Sequence, residues 1–216
     1  MGKNLADYRR SYEHGELDET SVLESPFKQF EKWFDELETE GCVDEPNAMT
    51  VSTVDADGSP RSRVVLMKHF SEDGFIFFTN YHSAKGKAIA KNPNVCISFY
   101  WPPLERQVIV KGIVEKIDSQ KSRDYFKIRP KKSQLGAVVS NQSQVVDSRE
   151  QLEKAMKSLE SKYADKDVPM PENWGGYLVR PKTFEFWQGR RSRLHDRVQY
   201  VLQEESKDWK IQRLAP

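Results

Sequence analysis

At Ala48 the spacing of apolar residues changes from helical to alternating, and this constrains the fold more than any other feature of the chain. Before it, Phe27, Phe30, Phe34 and Leu37 recur at helical intervals. Ser25-Pro26 supplies a cap and a first-turn proline, and Gly41 ends the run. After it, Met49 to Val54, Arg61 to Phe70 and Phe75 to Thr79 read as strands. The links between them are Asp55-Ala56-Asp57-Gly58 and Ser71-Glu72-Asp73-Gly74. Such short links join antiparallel neighbours, because a parallel connection needs a dozen residues or more. The segment is therefore predicted to be a meander.

A helix is predicted from about Ser83 to Lys91, closed by Asn92-Pro93. Strands at Val95 to Tyr100 and Gln107 to Ile117 flank the break Trp101-Pro102-Pro103. Ser119 is expected to cap a helix reaching Ile128, with Pro130 stopping it. Ser148 caps a later helix with an apolar stripe of Leu152, Ala155, Met156, Leu159 and Tyr163. Ala164 to Trp174 reads as a loop. Gly176 to Arg180, Thr183 to Gln188, Arg197 to Gln203 and Trp209 to Arg213 read as the last strands. Seven or eight short strands with helices between them imply an α+β protein built round an antiparallel barrel. Residues 1–24 are expected to form an N-terminal arm, with Ala6 to Tyr12 either a short helix or extended. Residues 25–216 are expected to form a single domain.

Charge narrows the partners. Lys and Arg total 34 against 33 for Asp and Glu, so the net charge is +1. A general polyanion binder carries a larger basic excess, so no nucleic-acid partner is expected and phosphate recognition should be local. The longest apolar runs are four residues, such as Val64 to Met67, too short to cross a bilayer. Met1 to Ala6 has no apolar signal core. Cys42 and Cys96 stand far apart with no CxxC pairing, as expected of free thiols in a reducing compartment. The expected location is cytoplasmic.

The dinucleotide fingerprint, the Walker loop, H-E-x-x-H, G-x-S-x-G and paired C-x-x-C motifs are all missing. The four histidines are scattered, and no metal site is expected. Four basic clusters remain. Arg63 to Lys68 puts two cations at opposite ends and on opposite faces of an apolar strand, which suits either two anions or a strand with charged ends. Ser83-Ala84-Lys85 opens a helix, where free N–H groups and the dipole favour phosphate, or simply a capped surface helix. Tyr125, Arg129 and Ser133 are spaced by four, and could clasp a phosphate or lie on a solvated basic loop. Trp187 to Arg197 holds four arginines, a tryptophan and a histidine, with Arg193 and His195 expected on one strand face. An arginine near an electron-accepting ring stabilises developing negative charge, while basic residues among aromatics also describe a nucleic-acid contact.

With these clusters in one order, the chain resembles the pyridoxamine/pyridoxine 5′-phosphate oxidases, which are FMN-dependent homodimers with a split-barrel fold. The resemblance runs from about Tyr8 to Pro216. Its most specific stretches are Arg63-Val-Val-Leu-Met-Lys68, Leu104-Glu105-Arg106-Gln107-Val108, Trp174-Gly175-Gly176, Glu185-Phe186-Trp187-Gln188-Gly189, Arg193-Leu194-His195-Asp196-Arg197 and Arg213-Leu214-Ala215-Pro216. It implies that Arg63 and Lys85 hold the FMN phosphate, with Gln142 and Ser143 supplied by the partner subunit. The segment from Val64 through Val65, Leu66 and Met67 to Lys68, with Phe78 and Thr79, would line the flavin. Gln107, Trp187 and Arg197 would contact its ring system. Lys68, Tyr125, Arg129 and Ser133 would clasp the substrate phosphate. Arg193 and His195 would be the catalytic pair over the pyridine ring, and Arg9, Arg10, Ser11 and Tyr12 an arm closing over the substrate. The implied reaction oxidises pyridoxamine 5′-phosphate or pyridoxine 5′-phosphate to pyridoxal 5′-phosphate, with O2 as acceptor and H2O2, plus NH3 from the amine, as co-products. A flavin-binding barrel without catalysis is the alternative, although it has no need of the six substrate residues. Many relatives carry an arginine where this chain has Ala84, so weaker FMN binding is expected.

Overall fold

Helix α1 (Pro26–Glu40) begins and ends at the signals in the sequence. The Ser25 hydroxyl accepts from Lys28 N, Pro26 occupies the first turn, and Gly41 leaves the helix at φ 59°. Its buried face carries Phe30, Trp33, Phe34 and Leu37. Phe30 packs on Phe99 and Trp101, and Trp33 stands edge-on to Phe186. These rings form the core that α1 covers.

The computed structural model describes residues 2–8 and 10–216, with five α-helices and nine strands among them. The strands and helices after α1 are β1 (Ala48–Val54), β2 (Pro60–Leu66), β3 (His69–Ser71), β4 (Gly74–Asn80), α2 (Ala84–Lys91), β5 (Asn94–Trp101), β6 (Arg106–Lys116), α3 (Ser119–Ile128), α4 (Lys131–Val139), α5 (Arg149–Lys162), β7 (Trp174–Gln188), β8 (Asp196–Leu202) and β9 (Trp209–Arg213). The strand order is β2-β1-β5-β6-β7-β4-β3, with β8 pairing β7 and β9 pairing β8. The pairs β3–β4, β4–β7, β7–β8 and β8–β9 are antiparallel.

The chain forms two compact units. The first is Met1–Met49, Ile97–Lys111 and Pro181–Pro216; the second is Thr50–Cys96 and Gly112–Arg180. Strands β1, β5, β6 and β7 each pass from one unit into the other. The arm of residues 1–24 belongs to the first unit.

Four local features differ from the sequence expectation. The strand expected over Arg61 to Phe70 is broken at Met67-Lys68, because β2 neighbours β1 whereas β3 pairs with β4. Alternation continues through a change of partner and does not reveal it. The strands expected at Gly176 to Arg180 and Thr183 to Gln188 are one strand, β7. Pro181, which lacks an N–H, falls between the ladder with β4, ending at Val179, and the ladder with β8, starting at Thr183. Asp118, not Ser119, caps α3, accepting from Gln120 N and Lys121 N. Helix α4 was not foreseen: it buries Leu135 alone and so carries no apolar stripe. In the arm, the described residues from Ala6 to Tyr12 form no helix, with a turn at Ala6-Asp7; Arg9 lies outside the described residues. Among the described residues, no helix is long and apolar enough to cross a membrane.

Candidate active site

The second unit contains a cavity of about 760 Å³. Strand β2 gives it Arg63, Val64, Val65 and Leu66, and the bend after β2 gives Lys68. Strand β4 adds Phe78 and Thr79, and the first turn of α2 adds Ala84 and Lys85. Tyr125, Arg129 and Ser133 come from α3, its C-terminus and α4, and Gln142 and Ser143 from the segment after α4. Two of the basic clusters separated along the chain thus meet the third in one enclosure.

Its cations are short of partners. Lys85 is buried, and its ammonium donates to Thr79 Oγ1 at 2.6 Å, Gln142 Oε1 at 2.9 Å and Ser83 Oγ at 3.4 Å. All three acceptors are neutral. Burial, with Arg63 as a secondary like charge, pushes the Lys85 pKa down to about 8. Arg63 donates from Nη1 to Thr53 Oγ1 at 2.8 Å and Val51 O at 3.1 Å, while its Nη2 is buried with no partner. Among the described residues, no carboxylate forms an ion pair with Arg63, Lys68, Lys85 or Arg129. A buried, incompletely bonded guanidinium is costly unless an anion completes it.

Helix α2 reaches this position because residue 86 is glycine. A Cβ there would stand 2.0 Å from Tyr81 O, so only glycine lets the first turn approach that carbonyl. Ser83 caps the helix by accepting from Gly86 N.

A third cation, Arg129, is held by aromatic packing. Phe126, Leu135, Val168 and Trp174 form a buried cluster under α3 and α4. The Arg129 guanidinium lies 4.7 Å from the Trp174 ring centre. Burial lowers its pKa, and its Nη1 is buried with no partner. Tyr125 stacks on Phe78 at 3.9 Å, and burial raises its phenol pKa against the opposing pull of Arg129. The Gln134 side chain donates to the carbonyls of Phe126, Lys127 and Arg129, which fastens α4 to the end of α3. This carries Ser133 to the cavity across Pro130.

The remaining expected residues lie in the first unit. Trp187 and His195 have ring centres 4.7 Å apart, and Tyr12 meets them edge-on at 5.8 and 5.6 Å. His195 Nδ1 accepts from Arg190 N at 3.0 Å, so a neutral imidazole there carries its proton on Nε2. Arg197 is engaged by Glu185 at 2.8 Å and by Ala215 O. Arg193 is exposed with φ 61°, at the end of a 3₁₀ turn (Arg191–Arg193). The expected shared strand face of Arg193 and His195 is therefore wrong: β8 begins only at Asp196. Gln107 is half-buried on β6. Arg10 and Ser11 are exposed in the arm.

Gln142 and Ser143, expected from the partner subunit, line this protomer's own cavity, where Gln142 accepts from Lys85. Met67 is 4% exposed and does not line the cavity, because the bend after β2 turns it into the core. The sequence reading missed Thr53, which orients Arg63; its place on the alternating strand next to that of Arg63 was the available signal. Trp174, which carries the Arg129 guanidinium, has no role in the sequence reading beyond its Trp-Gly-Gly run.

Residues 36–163 match the family model described as pyridoxamine 5′-phosphate oxidase, and residues 174–216 match the pyridoxine 5′-phosphate oxidase C-terminal dimerisation region. The chain is 55% identical over 214 residues to the pyridoxine/pyridoxamine 5′-phosphate oxidase of Flavobacterium psychrophilum, covering 99% of this chain and 100% of that one. It is 56% identical over 212 residues to the enzyme of the same name from Flavobacterium johnsoniae, covering 98% and 99%. Among solved structures, PhzG from Burkholderia lata, in complex with tetrahydrophenazine-1-carboxylic acid, superposes with a TM-score of 0.87 at 24% identity, covering 96% of this chain and 100% of that one. That likeness shows the shared fold, an antiparallel split β-barrel. The donor set fits the phosphate-bearing cofactor of the family, because Arg63 keeps a buried N–H and Lys85 a buried charge with no anion. The chain belongs to the pyridoxine/pyridoxamine 5′-phosphate oxidase family, and is an FMN-dependent, dimer-forming oxidoreductase that makes pyridoxal phosphate.

Proposed function

We propose that the protein oxidises both pyridoxamine 5′-phosphate and pyridoxine 5′-phosphate to pyridoxal 5′-phosphate. Dioxygen is the acceptor. The alcohol and O2 give the aldehyde and H2O2; the amine, O2 and water give the aldehyde, NH3 and H2O2. The observation that carries this reading is a single cavity with two arginines, Arg63 and Arg129, each keeping one buried N–H without a partner. Two phosphate esters, one on the cofactor and one on the substrate, are the ligands such a pair would complete.

Arg63 and Lys85 would hold the FMN phosphate, with Gln142 and Ser143 beside them and Val64, Val65, Leu66, Phe78 and Thr79 along the flavin. Lys68, Tyr125, Arg129 and Ser133 would hold the substrate phosphate. FMN, when bound, would supply the two-electron acceptor chemistry for the carbon beside the pyridine ring, with dioxygen as the final oxidant. The chain's own contribution is placement, since anchoring both molecules converts an encounter into a positioned reaction. Arg193 would face the ring with its fixed positive charge, stabilising negative charge that develops there. His195 would donate from Nε2, because Nδ1 is already an acceptor. Gln107, Trp187 and Arg197 would contact the flavin ring, and Arg10, Ser11 and Tyr12 the substrate; Arg9 carries the same assignment from sequence.

We place FMN at the subunit interface of the homodimer. Support comes from the dimerisation-region match, which spans Trp187, Arg193, His195 and Arg197. The direct test is a spectrum of the purified protein followed by pyridoxine 5′-phosphate without oxygen. Flavin bleaching, recovery on admitting air and a new aldehyde band are expected. Yellow protein that the ester does not bleach overturns the oxidase reading in favour of a non-catalytic flavin binder.

A further inference from the structure

Glu105 has no part in the scheme above, yet it is among the most committed side chains of the first unit. It ends the 3₁₀ turn Pro102–Leu104 in a left-handed conformation, φ 55°, which a non-glycine residue adopts at a cost. Its side chain is 2% exposed. Among the described residues, no hydrogen bond ties the carboxylate to the barrel core. Its partners are in the N-terminal arm: Arg10 Nη2 donates to Oε1 at 2.9 Å, and Glu13 N and His14 N donate to Oε2 at 2.7 and 2.9 Å. The Glu105 carbonyl in turn accepts from Gly189 N at 2.8 Å, which ties the turn to the residue after Trp187-Gln188.

Those bonds bracket Tyr12. Three arm residues around it, Arg10, Glu13 and His14, end on one carboxylate, and the ring between them is pressed against Trp187 and His195. The seat is tight: a Cβ on Gly189 would lie 2.8 Å from Tyr12 Cγ. Further along, the arm has separate anchors, with Leu17 N donating to Asp196 Oδ2 and Arg213 to Leu17 O.

We propose that Glu105 is a positioning residue that latches arm residues 10–14, so that Tyr12 is held against Trp187 and His195. Burial by itself raises the Glu105 pKa, but the N–H groups of His14 and Glu13 and the Arg10 guanidinium outweigh it and leave the carboxyl below its ordinary value. The latch therefore stays ionised at neutral pH. The catalytic meaning rests on the function proposed above, in which Tyr12 and His195 face the substrate.

The test uses the FMN-loaded enzyme and Glu105→Gly, which tolerates the left-handed backbone and removes the whole side chain, carboxylate included. Glu105→Gln serves as a second, less disruptive variant that loses the charge. Amide hydrogen exchange at Glu13 and His14 should accelerate at least about tenfold in Glu105→Gly, while Leu17 stays protected. With pyridoxine 5′-phosphate, KM should rise roughly tenfold with flavin content unchanged. Glu105→Gln should fall between the two proteins in both readouts. Unchanged exchange at Glu13 and His14 overturns the latch. Faster exchange with unaltered KM and kcat overturns the positioning role. A wild-type protein that does not oxidise the ester would defeat the function reading instead, and the exchange result would still decide the latch.

Discussion

FMN binding by the apo-protein should weaken as pH rises through the Lys85 titration. Burial first, and Arg63 second, hold the Lys85 pKa down to about 8 against an ordinary 10.5. Its three acceptors are neutral and do nothing to recover the charge. A bound phosphate changes this, because a dianion beside the ammonium favours the protonated form. FMN phosphate is already doubly ionised above about pH 7, since its second pKa is near 6. Cofactor binding above pH 8 therefore takes up a proton. If the phosphate returns Lys85 to 10.5, the dissociation constant rises roughly 70-fold between pH 7 and pH 10. The sign for stability is opposite. A lysine with a lowered folded-state pKa destabilises the fold while charged, so this group makes the apo-protein more stable as pH rises from about 8 toward 10.5. Flavin fluorescence titrations of apo-protein at pH 7, 8, 9 and 10, for wild type and Lys85→Met, measure both slopes alongside thermal melts. Lys85→Met should bind weakly at every pH, with a flat profile. A wild-type affinity that is constant from pH 7 to 10, or a slope shared with Lys85→Met, would refute the argument.

Ala84→Arg should tighten FMN binding by roughly tenfold, the value of one added charge-assisted bond at the cavity wall, read by the same titration; equal affinities would show that the missing arginine does not matter. Arg129→Met should raise KM for pyridoxine 5′-phosphate about 100-fold while leaving flavin content intact, because in the proposed scheme the lost guanidinium would face the substrate phosphate; colourless protein would contradict that division of labour. Arg193→Ala should lose turnover far more than FMN binding, by steady-state assay and absorbance of the purified variant. Bleached, flavin-free Arg193→Ala would place the residue with the cofactor instead.

The sequence by itself determined the local units. Helix α1 runs between Ser25-Pro26 and Gly41 because its caps and its Phe30, Phe34, Leu37 face are local properties. The turns at Asp55 to Gly58 and Ser71 to Gly74 likewise dictated an antiparallel arrangement. Charge placement and spacing marked Arg63 and Arg129, the two arginines with an unpaired buried N–H, as candidates beside a blander reading, and the family resemblance gave them phosphate roles. Only the tertiary structure decided where strands change partners, at Met67-Lys68 and around Pro181, because pairing depends on what lies alongside and leaves alternation unchanged. It also decided α4, which owes its place to Leu135 and to Gln134 closing the end of α3. The contacts of Thr53, Trp174 and Glu105 were decided the same way, since a side chain that holds another has a meaning only once its partner, distant in sequence, is brought within bonding reach.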